Sequence, residues 1–362
     1  MKKNVYIFIF GSFILFSCSD KEIKLGFGGS LSGKDYMLGV DGLNTVELLV
    51  NQVNEKGGIK GRKIRLLVED FKSDLNNVIA SDRRLIDNGA IALIGHFTSS
   101  ASSVALQLIN NNKIVLLSPT STSEDLSGKE DYFFRTIMTS KKDPEYISKI
   151  MKKNNIKNIA LIKTKLNKSY ADTYVEVLRE QFNIVEEIEY EKIKDIDVKK
   201  LYSLKDQFDA EFIIATAIDS GAIAQLLRVQ GIVKPLYLSG WAASKDLVLY
   251  GGKSVEGAVF IHQANEELES LKSFREEYMT HYGDYPNFGA IQTYEAFQLV
   301  IEVLKNGGTT KESFYREIKK IDKFQSIAGE IKIDKYGDAI RDLYIKKVSD
   351  GKIVVVEKIK NL

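Results

Sequence analysis

The sequence predicts an α/β protein in two halves, each a mainly parallel sheet flanked by helices. Three observations predict it. Short apolar runs alternate with helical stretches from residue 23 to about residue 321, the pattern of parallel strands joined by helices on both faces. The alternation runs as one set to about residue 136 and starts again near residue 156. At 362 residues the chain is also too long for one compact core and suits two lobes.

In order, residues 23–27 form a first strand, and Gly28-Gly29-Ser30-Leu31-Ser32-Gly33 a flexible turn. Leu43, Val46, Leu49, Val50 and Val53 fall at helical spacing between residues 41 and 56. Gly57-Gly58 stops that helix. A second strand spans 63–69, and a helix opened by Asp74 or Asn76 runs to about 88, with Gly89 as its stop. Residues 132–136 read as a connecting strand, and Asp143-Pro144 opens a helix through Met151. The second set has strands at 158–163, 184–190, 211–216 and 235–239, with helices near 170–182, 197–207 and 221–230. Residues 257–261 return as a strand, followed by helices near 266–282, 288–306 and 311–321. The end differs in kind. Residues 331–333, 343–348 and 353–359 alternate with period two, and Asp350-Gly351 reads as a hairpin turn. No repeat of 20–50 residues and no low-complexity linker is visible.

The stretch 91–122 organises the rest. Ile91-Ala92-Leu93-Ile94 reads as a strand buried on both faces. The hydroxyl-rich residues 96–103 then lead into an apolar helical run from Val104, which marks a helix N-terminus. Unpaired N–H groups and the helix dipole make such an end a seat for a small carboxylate. A further strand, 113–117, delivers Ser118-Pro119-Thr120-Ser121-Thr122. Ligands of open α/β sheets sit outside the carboxyl ends of strands, so two adjacent hydroxyl clusters suggest one small polar ligand. The competing reading is that these residues merely cap helices and turns.

Composition excludes several classes. Lys+Arg is 51 and Asp+Glu 49, a net charge of +2, which gives no basic excess for nucleic acid. A single cysteine excludes an internal disulfide. Three histidines without a Cys/His cluster argue against a structural zinc, and acids such as Glu69, Asp70 and Asp74 read as solvated loop residues. Gly26, Gly28 and Gly29 do not complete a G-x-G-x-x-G fingerprint, because position 31 is Leu. No nucleophile–base–orienter set is visible, so neither a reaction nor a cofactor is expected.

Lys2 and Lys3 precede an apolar run over residues 5–16, a signal peptide too short to span a bilayer permanently. Leu15-Phe16-Ser17-Cys18 resembles a bacterial lipoprotein signal, with Cys18 as the lipidated residue. The mature chain would then be extracytoplasmic, in the periplasm or at the cell surface, anchored to a membrane without crossing it. The alternative is an ordinary secreted chain with an incidental cysteine.

Gly57-Gly58-Ile59-Lys60-Gly61-Arg62, Glu69-Asp70, Ile94-Gly95-His96, Ser118-Pro119 with Thr122, and Phe134-Arg135-Thr136 occur in an order and spacing that resembles one family. It is that of extracytoplasmic solute-binding proteins similar to the leucine/isoleucine/valine-binding protein of ABC transporters. The resemblance runs from about residue 23 to the C-terminus. It implies a type I periplasmic binding fold, two α/β lobes whose cleft closes on a ligand about a hinge. It places three crossovers near 136–140, 261–263 and 324–328, with an N-terminal lobe of 22–137 plus 263–325 and a C-terminal lobe of 138–262 plus 326–362. Carried over by position, Ser99 would bind the ligand carboxylate, the Thr120 carbonyl would accept from its ammonium, and Thr122 would contact both. Tyr170 would supply the tyrosine at a second-lobe helix start. Leu38 and Phe97, with Phe288, would face the ligand's side chain. One position departs. Where amino-acid binders of the family place an acid for the ammonium, this chain reads Ser239-Gly240-Trp241-Ala242. Trp241 cannot be an anion; it would offer a π face or an apolar wall, and Asp219 would supply the charge from a neighbouring strand end. A ligand without an amino group is equally compatible.

The expected function is therefore a binding protein that hands a small solute, an amino acid or related carboxylate, to a membrane permease of an ABC importer. The alternative is a ligand sensor acting through a partner receptor.

Overall fold

The computed structural model describes residues 22–34 and 36–361; the signal segment and Cys18 lie outside them. The first sheet holds β1 (Ile23–Gly29), β2 (Ile64–Asp70), β3 (Ala92–Ile94), β4 (Val115–Ser118) and β5 (Phe133–Arg135). Helices α1 (Tyr36–Glu55), α2 (Leu75–Asp87) and α3 (Ser99–Asn112) connect them. The strand order is β2-β1-β3-β4-β5, all parallel. The alternation within each strand assigns the two faces. Ile23, Leu25 and Phe27 pack toward α1, while Leu93, Leu116 and Phe133 pack with α2 and α3 residues such as Leu85, Ala105 and Ile109.

The chain then builds a second unit from α4 (Lys142–Lys153), β6 (Asn158–Thr164), α5 (Lys168–Gln181), β7 (Asn183–Tyr190), α6 (Val198–Ser203), β8 (Ala210–Ile214), α7 (Ala217–Val229), β9 (Leu236–Leu238), α8 (Lys245–Gly251) and β10 (Val259–His262). Its five parallel strands run β7-β6-β8-β9-β10, the same winding as the first sheet. In both sheets the order reverses next to the first strand, which opens a crevice at the strands' carboxyl ends. Ile159, Leu161, Phe212 and Ile214 face α4 and α5, and Ile162, Ile213, Leu236 and Phe260 face the α7 side.

Three helices return to the first lobe: α9 (Lys272–Tyr282), α10 (Phe288–Lys305) and α11 (Lys311–Ile318). Here α9 begins later than the sequence suggests, because residues 265–271 form a loop and a short 3-10 turn. A small antiparallel sheet follows, of β11 (Lys323–Ser326), β12 (Gly329–Ile333) and β13 (Ala339–Ile340). Then β14 (Leu343–Ser349) adds antiparallel to β10, and β15 (Lys352–Ile359) closes the edge. Asp350 and Gly351 both have positive φ, as a two-residue hairpin turn of this hand requires.

The third crossing therefore differs from the expected 324–328. Residues 323–340 stay with the first lobe. Arg135 donates its backbone N–H to the Gly337 carbonyl at 3.0 Å, and its guanidinium pairs with Asp338 at 2.8 Å. Alternation predicts the strand at 331–333 but not its pairing with β11 and β13, in a sheet whose Gly337 and Asp338 are bonded to Arg135 of β5. The chain crosses at residues 341–342.

That crossing is locked by charge. Buried Arg341 donates to both oxygens of buried Glu295 on α10, at 2.7 and 3.0 Å, and to the Thr136 carbonyl of the first crossing at 3.1 Å. Removing one partner of a buried ion pair leaves the other charge uncompensated. Arg341→Ala is expected to destabilise the protein by about 3–5 kcal/mol, read as a lower urea midpoint. An unchanged midpoint would show that Glu295 finds another partner.

Candidate functional site

The carboxyl ends of β3 and β4 set one wall of the cleft. Gly95 follows β3 with φ +131°, and a Cβ there would lie 2.2 Å from the Gly28 carbonyl, so only glycine lets the strands approach this closely. His96 is fully buried, with Nε2 3.1 Å from Asp82 and Nδ1 3.2 Å from the Gly28 carbonyl. Burial opposes its charge, but the Asp82 carboxylate and the two hydrogen bonds outweigh this and raise its pKa. Its own carbonyl accepts from Ser118 Oγ at 2.6 Å and Ser121 Oγ at 3.1 Å. His96 is thus a structural pin that ties the two hydroxyl clusters together.

Ser99 opens α3, but its hydroxyl faces inward. Oγ accepts the backbone N–H groups of Thr122 and Ser123, both at 3.0 Å. It shapes the 118–123 loop from behind and does not line the cavity. Thr120 donates its hydroxyl to the Phe97 carbonyl at 2.8 Å. Thr98, the residue before α3, makes no side-chain cap. The second lobe supplies one instead: Asn167 Oδ1 accepts from the Ser100 N–H at 3.1 Å. Ser123 Oγ donates to the Ser169 carbonyl at 3.0 Å, and the Ser169 N–H donates to Ser100 Oγ at 3.3 Å. These bonds join the lobes across the cleft, so the arrangement is a closed one.

Between the lobes lies a cavity of about 40 Å³. Leu38, Phe97, Thr120, Thr122, Phe288 and Gln292 line it from the first lobe, and Asp143, Asn167, Tyr170, Gly240 and Trp241 from the second. Ile137, His262 and Gln263 line it from the crossings. Seven of the expected residues, Leu38, Phe97, Thr120, Thr122, Tyr170, Trp241 and Phe288, thus meet at one place. A broader hollow lies at the amino ends of β1 and β3, lined by Ile23, Lys24, Arg62 and Gly89 among others. It is remote from both hydroxyl clusters.

Asp219 is placed elsewhere, and here the expectation is corrected. Thr216 caps α7 by accepting the Asp219 N–H. This turns the Asp219 carboxylate toward β7, where it accepts from the Tyr190 hydroxyl at 2.7 Å. It does not line the cavity.

The acid at the cavity is Asp143, which the sequence reading took only as a helix start. It sits in the first turn of α4 and is 5% exposed. Oδ2 accepts from the Tyr174 hydroxyl at 3.2 Å, and Oδ1 has no hydrogen-bond partner among the described residues. Burial pushes the carboxyl up to about 8, against the pull of the Tyr174 hydrogen bond. The Tyr170 and Tyr174 rings lie 5.0 Å apart, tilted by 52°, and their hydroxyls accept the backbone N–H groups of Trp241 (3.3 Å) and Gly240 (3.1 Å). Burial, then the Asp143 charge, raises both phenols, which stay protonated. Trp241 meets Tyr170 edge to face at 5.8 Å. A Cβ at Gly240 would lie 2.7 Å from the Ile261 carbonyl, so the turn that presents Trp241 needs glycine.

Gln292 is the second residue missed. It is fully buried on α10, and neither its Oε1 nor its Nε2 has a partner among the described residues. Its signal was an amide on an otherwise apolar helix face, one turn after Phe288. Burial pushes His262 well below its ordinary range, helped by Lys346 and Arg341. Its neutral ring packs on Phe288 at 4.7 Å. Among the described residues no cluster of His, Cys, Asp or Glu could hold a metal. Ser99→Ala would strip two buried amides of their acceptor. The expected loss is about 1–3 kcal/mol of stability in ligand-free protein, measured by denaturant unfolding; no loss would contradict the structural placement of Ser99.

Comparison with known proteins agrees with this architecture. The Leu/Ile/Val-binding protein homolog 1 of Brucella melitensis biotype 1 is 24% identical over 366 aligned positions, covering 93% of this chain and 94% of that protein. The branched-chain amino acid transporter substrate-binding protein LivJ of Streptococcus pneumoniae, solved in complex with isoleucine, superposes with a TM-score of 0.84. It is 22% identical and covers 94% of this chain and 99% of that one. A solute-binding protein of an ABC transporter from R. palustris, solved with benzoate, gives 0.82 at 17% identity, covering 94% and 98%. At these identities the superpositions establish the fold. A family model for periplasmic binding proteins matches residues 22–352, and the chain belongs to the periplasmic binding protein family.

Proposed function

We propose that this protein binds a small organic solute, an amino acid or related carboxylate, between its lobes and delivers it to an ABC permease. The observation that carries the reading is the cavity itself. Residues from both lobes and all-parallel strand ends converge on it, and hydrogen bonds that bridge the lobes surround it. A ligand touching both walls binds the closed form better and shifts the population toward it. The Thr122 hydroxyl is the carboxylate side of the site, and Leu38, Phe97 and Phe288 are its apolar side. Both kinds of neighbour are compatible with this: one relative's structure holds isoleucine and another holds benzoate. Cys18 would tether the chain on the outer side of a membrane. Among the described residues no helix is long and apolar enough to cross one.

The test is thermal melting of the purified protein with L-leucine, L-glutamine, 4-methylpentanoate and benzoate. A ligand at about 100 times its dissociation constant adds roughly 2.7 kcal/mol, a rise of several degrees. No shift with any of the four, and no copurified solute by mass spectrometry, would overturn the reading. Closure gives a second expectation. Asn167→Ala removes a bond that only the closed form makes, so the affinity should fall about 2- to 10-fold, matching ~0.5–1.5 kcal/mol per hydrogen bond. The loss should appear as faster dissociation in stopped-flow traces. Equal affinity would mean the lobes close without this contact.

A further inference from the structure

Trp241 offers no charge to a ligand ammonium, and Asp219 faces Tyr190. Asp143 lies in the opposite flank of the same corner. Its Oδ2 would be 3.6 Å from a Cβ at Gly240, the residue before Trp241. We propose that Asp143 is the ammonium anchor of this protein, and that it exchanges its own proton for the ligand's cationic group on binding. The inference rests on the solute-binding reading above and names the charge its ligand carries.

Four observations carry it. Asp143 lines the cavity. One of its oxygens is hydrogen-bonded to Tyr174 and the other has no partner among the described residues. No lysine, arginine or histidine among the described residues forms an ion pair with it; its helix neighbours Lys142 and Glu145 pair with each other at the surface instead. A buried carboxylate without a cation is unfavourable, so the group holds a proton until a cation arrives. The titratable groups that face it are Tyr170 and Tyr174 from α5 and His262 from β10. Burial keeps the phenols protonated and the imidazole neutral, so none of them supplies the positive charge.

The step balances as follows. The carboxylic acid loses its O–H proton to solvent, and the arriving ammonium donates an N–H to the resulting carboxylate. The net reaction releases one proton. With the carboxyl at about 8, most of the protein carries this proton at pH 7 and about half at pH 8. The Trp241 face beside it adds a π surface for the same cation.

The experiment is calorimetry of the purified protein at pH 7 in two buffers of different ionisation heat, with the same four probes used for melting. The expected result is tighter binding of L-leucine or L-glutamine than of 4-methylpentanoate or benzoate, by at least tenfold. Binding of the amino acids should release close to one proton, and binding of the plain carboxylates none. Asp143→Asn should abolish both the release and the preference for an amino group. Should that variant fail to fold, Tyr174→Phe tests the same point, since the carboxyl without its donor ionises less readily. Amino-acid affinity should then fall while proton release persists to higher pH. Amino-acid binding with no proton release, or a preference that survives Asp143→Asn, overturns the proposal. Plain carboxylates that bind as tightly as amino acids also overturn it while leaving solute binding intact. Binding of no probe, with no copurified solute found by mass spectrometry, removes the solute-binding reading and this inference with it.

Discussion

The rest of the structure depends on how three chain crossings are tied to one another. Gln263, in the second crossing, uses both ends of its amide on Met138 in the first: Oε1 accepts the Met138 N–H at 2.7 Å, and Nε2 donates to its carbonyl at 2.8 Å. Arg341, in the third, holds the Thr136 carbonyl of the first and Glu295 of α10. Ser326 Oγ adds a bond to Glu295 at 2.7 Å. Crossing segments have no sheet ladder to satisfy their backbone, so side chains must do it. The result is a three-chain waist, and Gln263 is part of both this waist and the cavity lining. Motion at the hinge and contact at the site are therefore mechanically linked.

The link continues into the site. Ser140, at the end of the first crossing, donates both its N–H and its hydroxyl to the Thr122 carbonyl, at 2.6 and 3.0 Å. The Asp143 N–H then donates to the Ser140 carbonyl at 3.2 Å. Thr122 of the first lobe and Asp143 of the second are thus joined through one short stretch of backbone. A ligand held by both pulls on the segment that must bend for the lobes to close. Gly240 lets the β9 turn pass within contact of β10, which brings Trp241 to the same corner.

How far the sequence revealed this varies with the range of the interaction. The repeated strand–helix units were legible because alternation and glycine stops are local. The 91–122 unit was legible for the same reason, and its two hydroxyl clusters do lie side by side. What a local pattern cannot show is direction. Ser99 reads as a ligand donor, yet its oxygen points at the Thr122 and Ser123 amides. Asp219 reads as a strand-end acid, yet the Thr216 cap rotates it toward Tyr190 on a different strand. Asp143 follows two lysines and precedes a proline, which describes a solvated helix start. Its burial comes from Tyr174, Gly240 and β10, all far away in sequence. The third crossing was misplaced because residues 331–333 reveal a strand but not the sheet that pairs with it.

The unsatisfied polar atoms explain why such a closed form suits a binding protein. Asp143 Oδ1 and both ends of the Gln292 amide are buried without partners among the described residues. Each such group is unfavourable when buried dry, by about 1–3 kcal/mol, and both residues line the cavity between the lobes, so the penalty falls as the lobes part. In an open cleft water would hydrate the same atoms. The bridging bonds at Asn167, Ser123 and Ser100 pull toward closure, and these orphaned groups oppose it. A solute that answers the orphaned atoms removes the opposing contribution without altering the bridging one. Its differential affinity for the closed form then arises at these few atoms. Local rules of polar satisfaction can be broken where a ligand is meant to complete them, and the breaks at Asp143 and Gln292 lie on the cavity wall.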